Sequence, residues 1–436
     1  MGGGVQRRRT VLLFAGKLGY QTRSFEEAAA KLGVELAYVT DRCHELSDPW
    51  GDGAIAVSFE SPESAAQRVM EGARDVQVDG ILAIGDRPTV AAAYAARGLG
   101  IMYNHPASVE ACRSKLRMRE VLRDAGLPTP WFRSVALKPA PEPALLGITY
   151  PCVLKPLSLS ASQGVIRANS RGEFLAAAGR IRRLLESPEL VSKPEASAKQ
   201  LIVEEYLPGM EVAVEGLLVR GEFHCLAIFD KPDPLEGPYF EETIYVTPSR
   251  QPAQVQEAIV RAAGEATRAL GLSQGPVHGE FRVNERGVWP LEVAPRPIGG
   301  LCARALRFMD RDGCAISLEE LLLQEAAGEL MEVPARESAA SGVMMIPVPR
   351  GGIFEKFEGD EEALAAPGVT ELHVTARVGD FLAAWPEGSS YLGFLFARAE
   401  AAEEVEDALR KAHGKLCFTI TPRLPVEHPA TKKMMR

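Results

Sequence analysis

Residues 277–297 read VHGEFRVNERGVWPLEVAPRP, with Glu280 and Glu292 twelve positions apart and Arg296 shortly after the second. The cluster Asn284-Glu285-Arg286-Gly287 is turn chemistry between two strand-like runs. A three-residue hairpin loop ends in a left-handed glycine. With Glu285, Arg286 and Gly287 as that loop, Asn284 pairs with Val288, and counting back sets Glu280 opposite Glu292. Strand alternation sends Val277, Phe281, Val283, Trp289, Leu291 and Val293 to one face. His278, Glu280, Arg282 and Glu292 take the other, and Arg296 follows if the strand runs on. Two carboxylates directly opposite on a sheet repel one another. Either water surrounds an exposed edge, or a cation sits between them. Mg²⁺ takes one or two carboxylates plus substrate phosphates. The hairpin alone leaves both readings open.

Other residues share this chemistry. Lys155 lies inside the apolar run CVLKPL, where an unpaired ammonium is costly to bury. It leads into LSLSASQG, which ends at Gly164. Small hydroxyl residues such as Ser160 and Ser162, with glycine, let backbone N–H groups approach phosphates, although such loops also occur without function. Glu204, Glu205 and Leu207 end one strand-like run, and Glu211 opens the next. Gly299-Gly300 precedes LCARALRF, read as a helix, so it is either a bare turn beside an anion-favouring helix N-terminus or a simple connection. Arg304 and Arg307 face either substrate or water.

These residues need elements to hold them. Residues 10–15 (TVLLFA) read as a buried parallel strand. Helices at 25–32, 64–75 and 89–97 alternate with strands at 34–39, 54–57 and 80–85, which argues for an open α/β sheet with ligands at the strands' carboxyl ends. Gly16-Lys17-Leu18-Gly19 and Gly85-Asp86-Arg87 follow two of these strands but match neither dinucleotide nor P-loop patterns. A helix capped by Ser108 carries Lys115, and a Pro-rich stretch follows at 138–143. Strands are expected at 201–206, 211–219 and 222–229, a helix at 253–270, and mostly helix at 301–328. The last region has strands at 342–347, 370–375 and 416–421 and a helix at 401–413. Met344-Met345 and Trp289 are expected in core, and the stretch from Pro422 is expected to be loose.

Composition narrows the classes. The 436 residues are 46% hydrophobic and 25% charged, with a net charge of −9, which is ordinary for a globular protein and argues against a dedicated nucleic-acid binder. No apolar run is long enough for a membrane span, and no signal-peptide core is present. Seven scattered cysteines without CxxC fit reduced thiols in a cytoplasm. His44-Glu45 lacks the second histidine of a metalloprotease.

The order of the parts resembles the ATP-grasp superfamily, in the group with the bacterial L-amino acid ligases and biotin carboxylase. That order is an α/β domain, a helix lysine, a strand lysine with a Ser/Gly loop, Glu-Glu-Tyr-Leu with a later Glu211, and then the glutamate hairpin. GVMMIPVPRGG and YLGFLFARA look like the last domain of those enzymes. The resemblance implies an N-terminal α/β pre-ATP-grasp domain over 1–107. It implies an ATP-grasp domain of two subdomains over 108–335, with a lid at about 130–208, and a small C-terminal α+β domain over 336–436. It implies ATP with Mg²⁺, Mn²⁺ being the alternative ion. Lys115, Lys155 and the 158–164 loop (Ser160, Ser162, Gly164) would meet phosphates. Glu204, Glu205 and Leu207 would meet adenine, and Glu211 the ribose. Glu280 and Glu292 would hold magnesium, and Arg296 would face the transferring phosphoryl and the substrate. The implied reaction is a cytoplasmic ligation of a small carboxylate, activated as an acyl phosphate, to an amine, typically amino acids, in an enzyme commonly dimeric. The alternatives are a biotin-carboxylase-like enzyme and a non-catalytic ATP-binding regulator. One position departs from the pattern E-x-N-x-R. Ala294 stands where asparagine is usual, which removes one metal ligand, and His278 on the facing strand either assists there or merely packs.

Overall fold

A computed structural model describes residues 7–16, 20–41, 54–137, 147–157, 159–187, 190 and 200–422. Lys17 to Gly19, His44-Glu45, the Pro-rich stretch 138–143, Ser158 and the residues after Pro422 fall outside them or largely so, Pro422 itself being described.

The chain opens as a four-stranded parallel sheet in the order Ile55–Ala56, Glu35–Thr40, Thr10–Ala15, Gly80–Ile84. Thr10–Ala15 is buried along its whole length, as an all-apolar strand with helices on both faces must be. The helices Tyr20–Leu32, Pro62–Gly72 and Thr89–Leu99 alternate with the strands. Gly85 and Asp86 leave the carboxyl end of Gly80–Ile84, where open α/β sheets bind ligands.

The expected Ser108-capped helix is instead two, Pro106–Arg113 and Lys115–Asp124. His105 caps the first. Ser114 breaks the run in an extended conformation, and its hydroxyl accepts from the Arg117 N–H at 3.4 Å. Lys115 is therefore the first residue of a helix, not a mid-helix residue.

A second, antiparallel sheet follows in the order Phe132–Ala136, Gln200–Glu205, Cys152–Pro156, Ile166–Ala168. The helix Arg171–Leu185 covers it through Phe174, Ala178 and Ile181, which pack on Leu154 and Val203. This sheet is one jaw of the site.

The other jaw is an eight-stranded antiparallel sheet. Its order is Gly287–Ala294, Gly275–Asn284, Met210–Val219, Glu222–Asp230, Ile244–Thr247, Ala340–Ile346, Gly393–Ala399, Val369–Val374. It runs without a break across residue 335, because Ile244–Thr247 pairs with Ala340–Ile346. The helix Ala253–Ala269 lies over Val277, Phe281 and Val293 on one face. The other face meets Leu318, Leu322 and the N-terminal sheet. Met344 and Met345 are both buried.

Residues 301–328 are not largely helical. They form a 3-10 turn at Cys302–Ala305, two-residue strands Phe308–Met309 and Ala315–Ile316, and the helix Leu318–Ala326. The physical reason is local. The Asp310 carboxylate accepts from the N–H groups of Asp312 (3.0 Å) and Cys314 (2.7 Å), a turn that competes with helix. A capping box of Ser317 and Glu320 then starts the helix. No anion-favouring helix begins at Gly300.

Candidate functional site

The glutamate hairpin joins Gly275–Asn284 to Gly287–Ala294. Its turn has two residues, not three: Asn284 pairs with Gly287, and the Asn284 side chain accepts from the Arg286 N–H at 2.9 Å. A bulge between Glu280 and Phe281 restores the count, so Glu280 still faces Glu292 and His278 faces Ala294. Between turn and bulge the faces change. Trp289 leaves the core, stays half-buried beneath the Arg286 guanidinium, and donates to Asn284 at 3.3 Å. Leu291 turns toward the cleft.

Each glutamate has its own cation. Glu292 Oε2 is 3.2 Å from Lys115 Nζ, and Glu280 Oε1 is 3.5 Å from Lys231 Nζ and 3.7 Å from His278 Nε2. The pair lines a cleft of about 890 Å³, including its mouth, between the two jaws. Lys115, Lys155, Ser162 and Arg296 reach it, and so do Glu204, Glu205, Leu207 and Glu211. Its inner end is apolar, with Val153, Val165, Leu207 and Phe240. Ser160 faces a neighbouring chamber instead, and Gly164 packs behind the loop on Pro156. Ala161, Ser162 and Gly164 all have positive φ, which curls this loop over the cleft.

Lys155 is not a lone ammonium. Its Nζ is 2.6 Å from Glu204 Oε2, and the fully buried Arg119 approaches Glu204 Oε1 at 2.7 Å. Burial alone would raise the Glu204 carboxyl, but Arg119 and Lys155 hold it at about 2. Burial also draws the Lys155 ammonium below its usual range, against the pull of Glu204. Glu205 is tied to Arg286 at 2.9 Å. Glu211 accepts from Lys231 and Arg282, each at 2.7 Å.

Lys231 is the hub of the acidic side. Its ammonium touches Glu211, Glu242 and Glu280. Burial, with repulsion from Glu280, pushes Glu242 up to about 7. Burial likewise works against ionised Glu280, but Lys231 and His278 hold it well below the usual carboxylate range. Oxygens of Glu211, Glu242 and Glu280 lie within 4.8 Å of one another, a spacing that suits a metal. The Lys231 ammonium already lies in contact with all three and offsets that charge. The Glu280–Glu292 pair fits Mg²⁺ better: both carboxylates are about a quarter exposed toward the cleft. His278 is buried against Glu215 through Nδ1. Burial would lower its imidazolium, yet Glu215 raises it to about 9.

Arg296 lies at the boundary between this cleft and a second chamber, of about 1240 Å³ with its mouth, that shares Glu242, His278 and Glu280. Its guanidinium is paired with Asp86 of the N-terminal sheet, Nε to Oδ1 at 3.0 Å. Gly299 and Gly300 line the second chamber. Arg304 is turned away, to Glu371 and His373, and Arg307 is exposed.

Sequence reasoning missed Asp86, Arg119, Lys231 and Glu242 as site residues. Asp86 did carry a signal, a charged residue at the carboxyl end of a parallel strand. Lys231 and Glu242 sit in DKPDPLEGPYFEE, a charged, Pro- and Gly-rich segment directly after a strand.

The geometry has known counterparts. Residues 148–305 match the ATP-grasp domain family, and residues 344–421 match the L-amino acid ligase C-terminal domain 2. The crystal structure of the L-amino acid ligase from Bacillus licheniformis aligns with a TM-score of 0.79 at 26% identity, over 96% of this chain and 100% of that one. The uncharacterized protein y4rH of Sinorhizobium fredii is 26% identical over 320 residues, 73% of this chain and 63% of that protein. The ATP-grasp enzyme fsqD of Aspergillus fumigatus is 27% identical over 341 residues, 68% of this chain and 57% of that protein. The chain thus spans less than two thirds of the length of these two curated relatives. Among the described residues, no helix is long and apolar enough to cross a membrane. The chain thus contains an ATP-grasp domain over residues 148–305, followed in the expected order by an L-amino acid ligase C-terminal domain over residues 344–421.

Proposed function

We propose that this chain is an ATP- and Mg²⁺-dependent carboxylate–amine ligase acting on small molecules, among them amino acids, in the reducing cytoplasm. One observation carries the reading. Arg296 and the Glu280 carboxylate both line two adjoining chambers, one fronted by lysines and one by the C-terminal region. Phosphoryl transfer asks chiefly for positioning and for positive charge around the transferring group.

In this reading residues 130–208 are the lid. Val153, Val165, Leu207 and Phe240 sandwich the adenine, with Glu204 and Glu205 at the hinge. Glu211 takes the ribose hydroxyls; its oxygens retain lone pairs beyond those given to Lys231 and Arg282. Lys115, Lys155 and the loop with Ser160, Ser162 and Gly164 neutralise and enclose the phosphates. Glu280 and Glu292 hold Mg²⁺, or Mn²⁺, which when bound supplies Lewis-acid neutralisation of phosphate charge. Arg296 orients the substrate carboxylate with its planar fork. A carboxylate oxygen attacks the γ-phosphorus, the bond to the bridging oxygen breaks, and ADP leaves. The amine nitrogen then attacks the acyl carbon, gives up a proton, and phosphate departs. Closure of the lid protects the acyl phosphate from water.

The test is phosphate release from Mg²⁺·ATP across pooled carboxylates and amino acids, beside Glu292→Gln. Release that needs a carboxylate and an amine and vanishes in the variant is the expected result. Release that needs bicarbonate and biotin points to a carboxylase. ATP binding without release from any pool overturns the ligase reading.

A further inference from the structure

The second chamber has two unlike ends. At the end shared with the cleft, Asp86, Glu242, Glu280 and Arg296 present charge. Away from it the wall is formed by Met345, Leu382, Tyr391 and Phe394. Three of these are almost fully buried: Phe394 is 2% exposed, Leu382 4% and Met345 5%. The aromatic part of the wall is continuous. Its Tyr391 and Phe394 rings lie 6.3 Å apart, and the Trp385 ring, outside the lining, lies 5.0 Å from Tyr391. Packing fixes its inner end, because a Cβ on Gly300 would come within 2.6 Å of the Phe394 ring. Asp380, which also lines this chamber, is exposed and turned to the Arg377 N–H at 2.8 Å.

Such a chamber suits a molecule with a charged head and an apolar body. We infer that one of the two substrates is an amino acid with a bulky apolar side chain, its head groups toward Arg296 and Glu242 and its side chain against Met345, Leu382, Tyr391 and Phe394. The inference rests on the ligase reading and narrows it. A small side chain leaves the wall wet and loses the burial that a leucine or phenylalanine side chain contributes. A charged one would surrender its hydration to Met345, Leu382 and Phe394, whose side chains offer no hydrogen-bonding partner. Tyr391 is the specificity-determining residue most open to change, since it is only half-buried.

The experiment measures phosphate release from Mg²⁺·ATP with every pair of the standard amino acids, for the full chain and for Tyr391→Ala and Tyr391→Leu. Pairs containing leucine, isoleucine, methionine or phenylalanine should exceed pairs built only from small or charged amino acids by at least about tenfold in kcat/KM. Tyr391→Ala should shift the preference toward larger side chains, with the KM for ATP unchanged. Tyr391→Leu, which keeps the wall apolar, should retain the wild-type ranking. Release that is equal or faster with small or charged pairs overturns the inference and leaves the ligase reading intact. The same holds if Tyr391→Ala leaves the ranking unaltered. Absence of release from every pair removes the ligase reading, and the inference with it.

Discussion

Arg296 and Asp86, 210 positions apart in sequence, form a fork-shaped ion pair, with Nε to Oδ1 at 3.0 Å and one Nη to Oδ2 at 3.4 Å. The pair fastens the end of the glutamate hairpin to the loop that leaves the N-terminal sheet. Burial would raise the Asp86 carboxyl, but Arg296 and Arg113 hold it at about 2. Both partners are therefore ionised at neutral pH, and the guanidinium is held in one orientation beside both chambers.

Arg296→Lys keeps a charge and loses the planar fork. Substrate-dependent phosphate release should fall on the order of 100-fold, as for loss of one preorganised transition-state donor, while ATP affinity changes little. Steady-state kinetics beside nucleotide titration separate the two. Wild-type release from the lysine variant would remove Arg296 from the chemistry.

Glu292→Gln leaves Lys115 without its carboxylate at 3.2 Å and takes one oxygen charge from the proposed magnesium pair. The Mg²⁺ concentration for half-maximal release should rise roughly 10- to 100-fold, the range seen when a metal site loses supporting contacts. The stabilisation by Mg²⁺·ATP in a melting experiment should shrink in parallel. An unchanged Mg²⁺ dependence would place the metal elsewhere.

Lys231→Met should be severe for a different reason. The ammonium is 2% exposed and contacts Glu211, Glu242 and Glu280. Removing one partner of a buried ion pair costs about 3–5 kcal/mol, because the other charge is left uncompensated. A lower urea midpoint with an unchanged slope is expected. The double variant Lys231→Met with Glu242→Gln should recover part of the loss.

Much of this site was legible in the sequence because strand period and turn chemistry are local. The facing of Glu280 and Glu292 followed from counting, and it survived a wrong loop length only because a bulge at Glu280 compensated. That bulge has no sequence signature, and it moved Trp289 and Leu291 off the core face. Lys155 in an apolar strand called for a partner. Glu204 as that partner depends on a sheet pairing in which Lys155 lies opposite Ile202, which no local pattern encodes. Arg119 was invisible for the same reason, and Asp86 showed only its place at the end of a strand, not its partner Arg296: each acts through a contact between distant segments. The expected helix after Gly300 failed because one aspartate, Asp310, captures two backbone amides.

Glu325 provides a test by pH, well away from the cleft. It is 6% exposed, and its bonded partner is the Gln274 side-chain amide. Burial raises its carboxyl to about 7 from an ordinary 4.5. The folded state then binds the proton more tightly than the unfolded chain. The stability linked to it is fully present below about pH 4.5 and is lost as pH rises through about 7. Glu325→Gln keeps an acceptor for Gln274 and cannot ionise. The variant should therefore be more stable than wild type at pH 8, by about 3 kcal/mol at most, and the difference should close only by about pH 4. A variant less stable than wild type at pH 8 would contradict this.

The loop over residues 159–164, part of the proposed lid, is fastened to the C-terminal region. The Gly164 N–H donates to Pro386 O at 2.9 Å, Gln163 Nε2 to Glu387 O at 2.6 Å, and Trp385 Nε1 to Ala161 O at 3.2 Å. Arg180, on the helix Arg171–Leu185, grips the Glu387 carboxylate. The same segment continues into Ser389, Ser390 and Tyr391 on the wall of the second chamber. In the proposed ligase reaction, a lid held shut by that segment would keep water from the acyl phosphate. Loosening it should let water compete with the amine. Glu387→Ala, which removes a half-exposed ion pair, should leave stability within about 1 kcal/mol. It should release several phosphates per amide formed, where the wild type releases about one, and comparing the two yields in one reaction checks this. A ratio that stays near one in the variant would mean that closure does not depend on this contact.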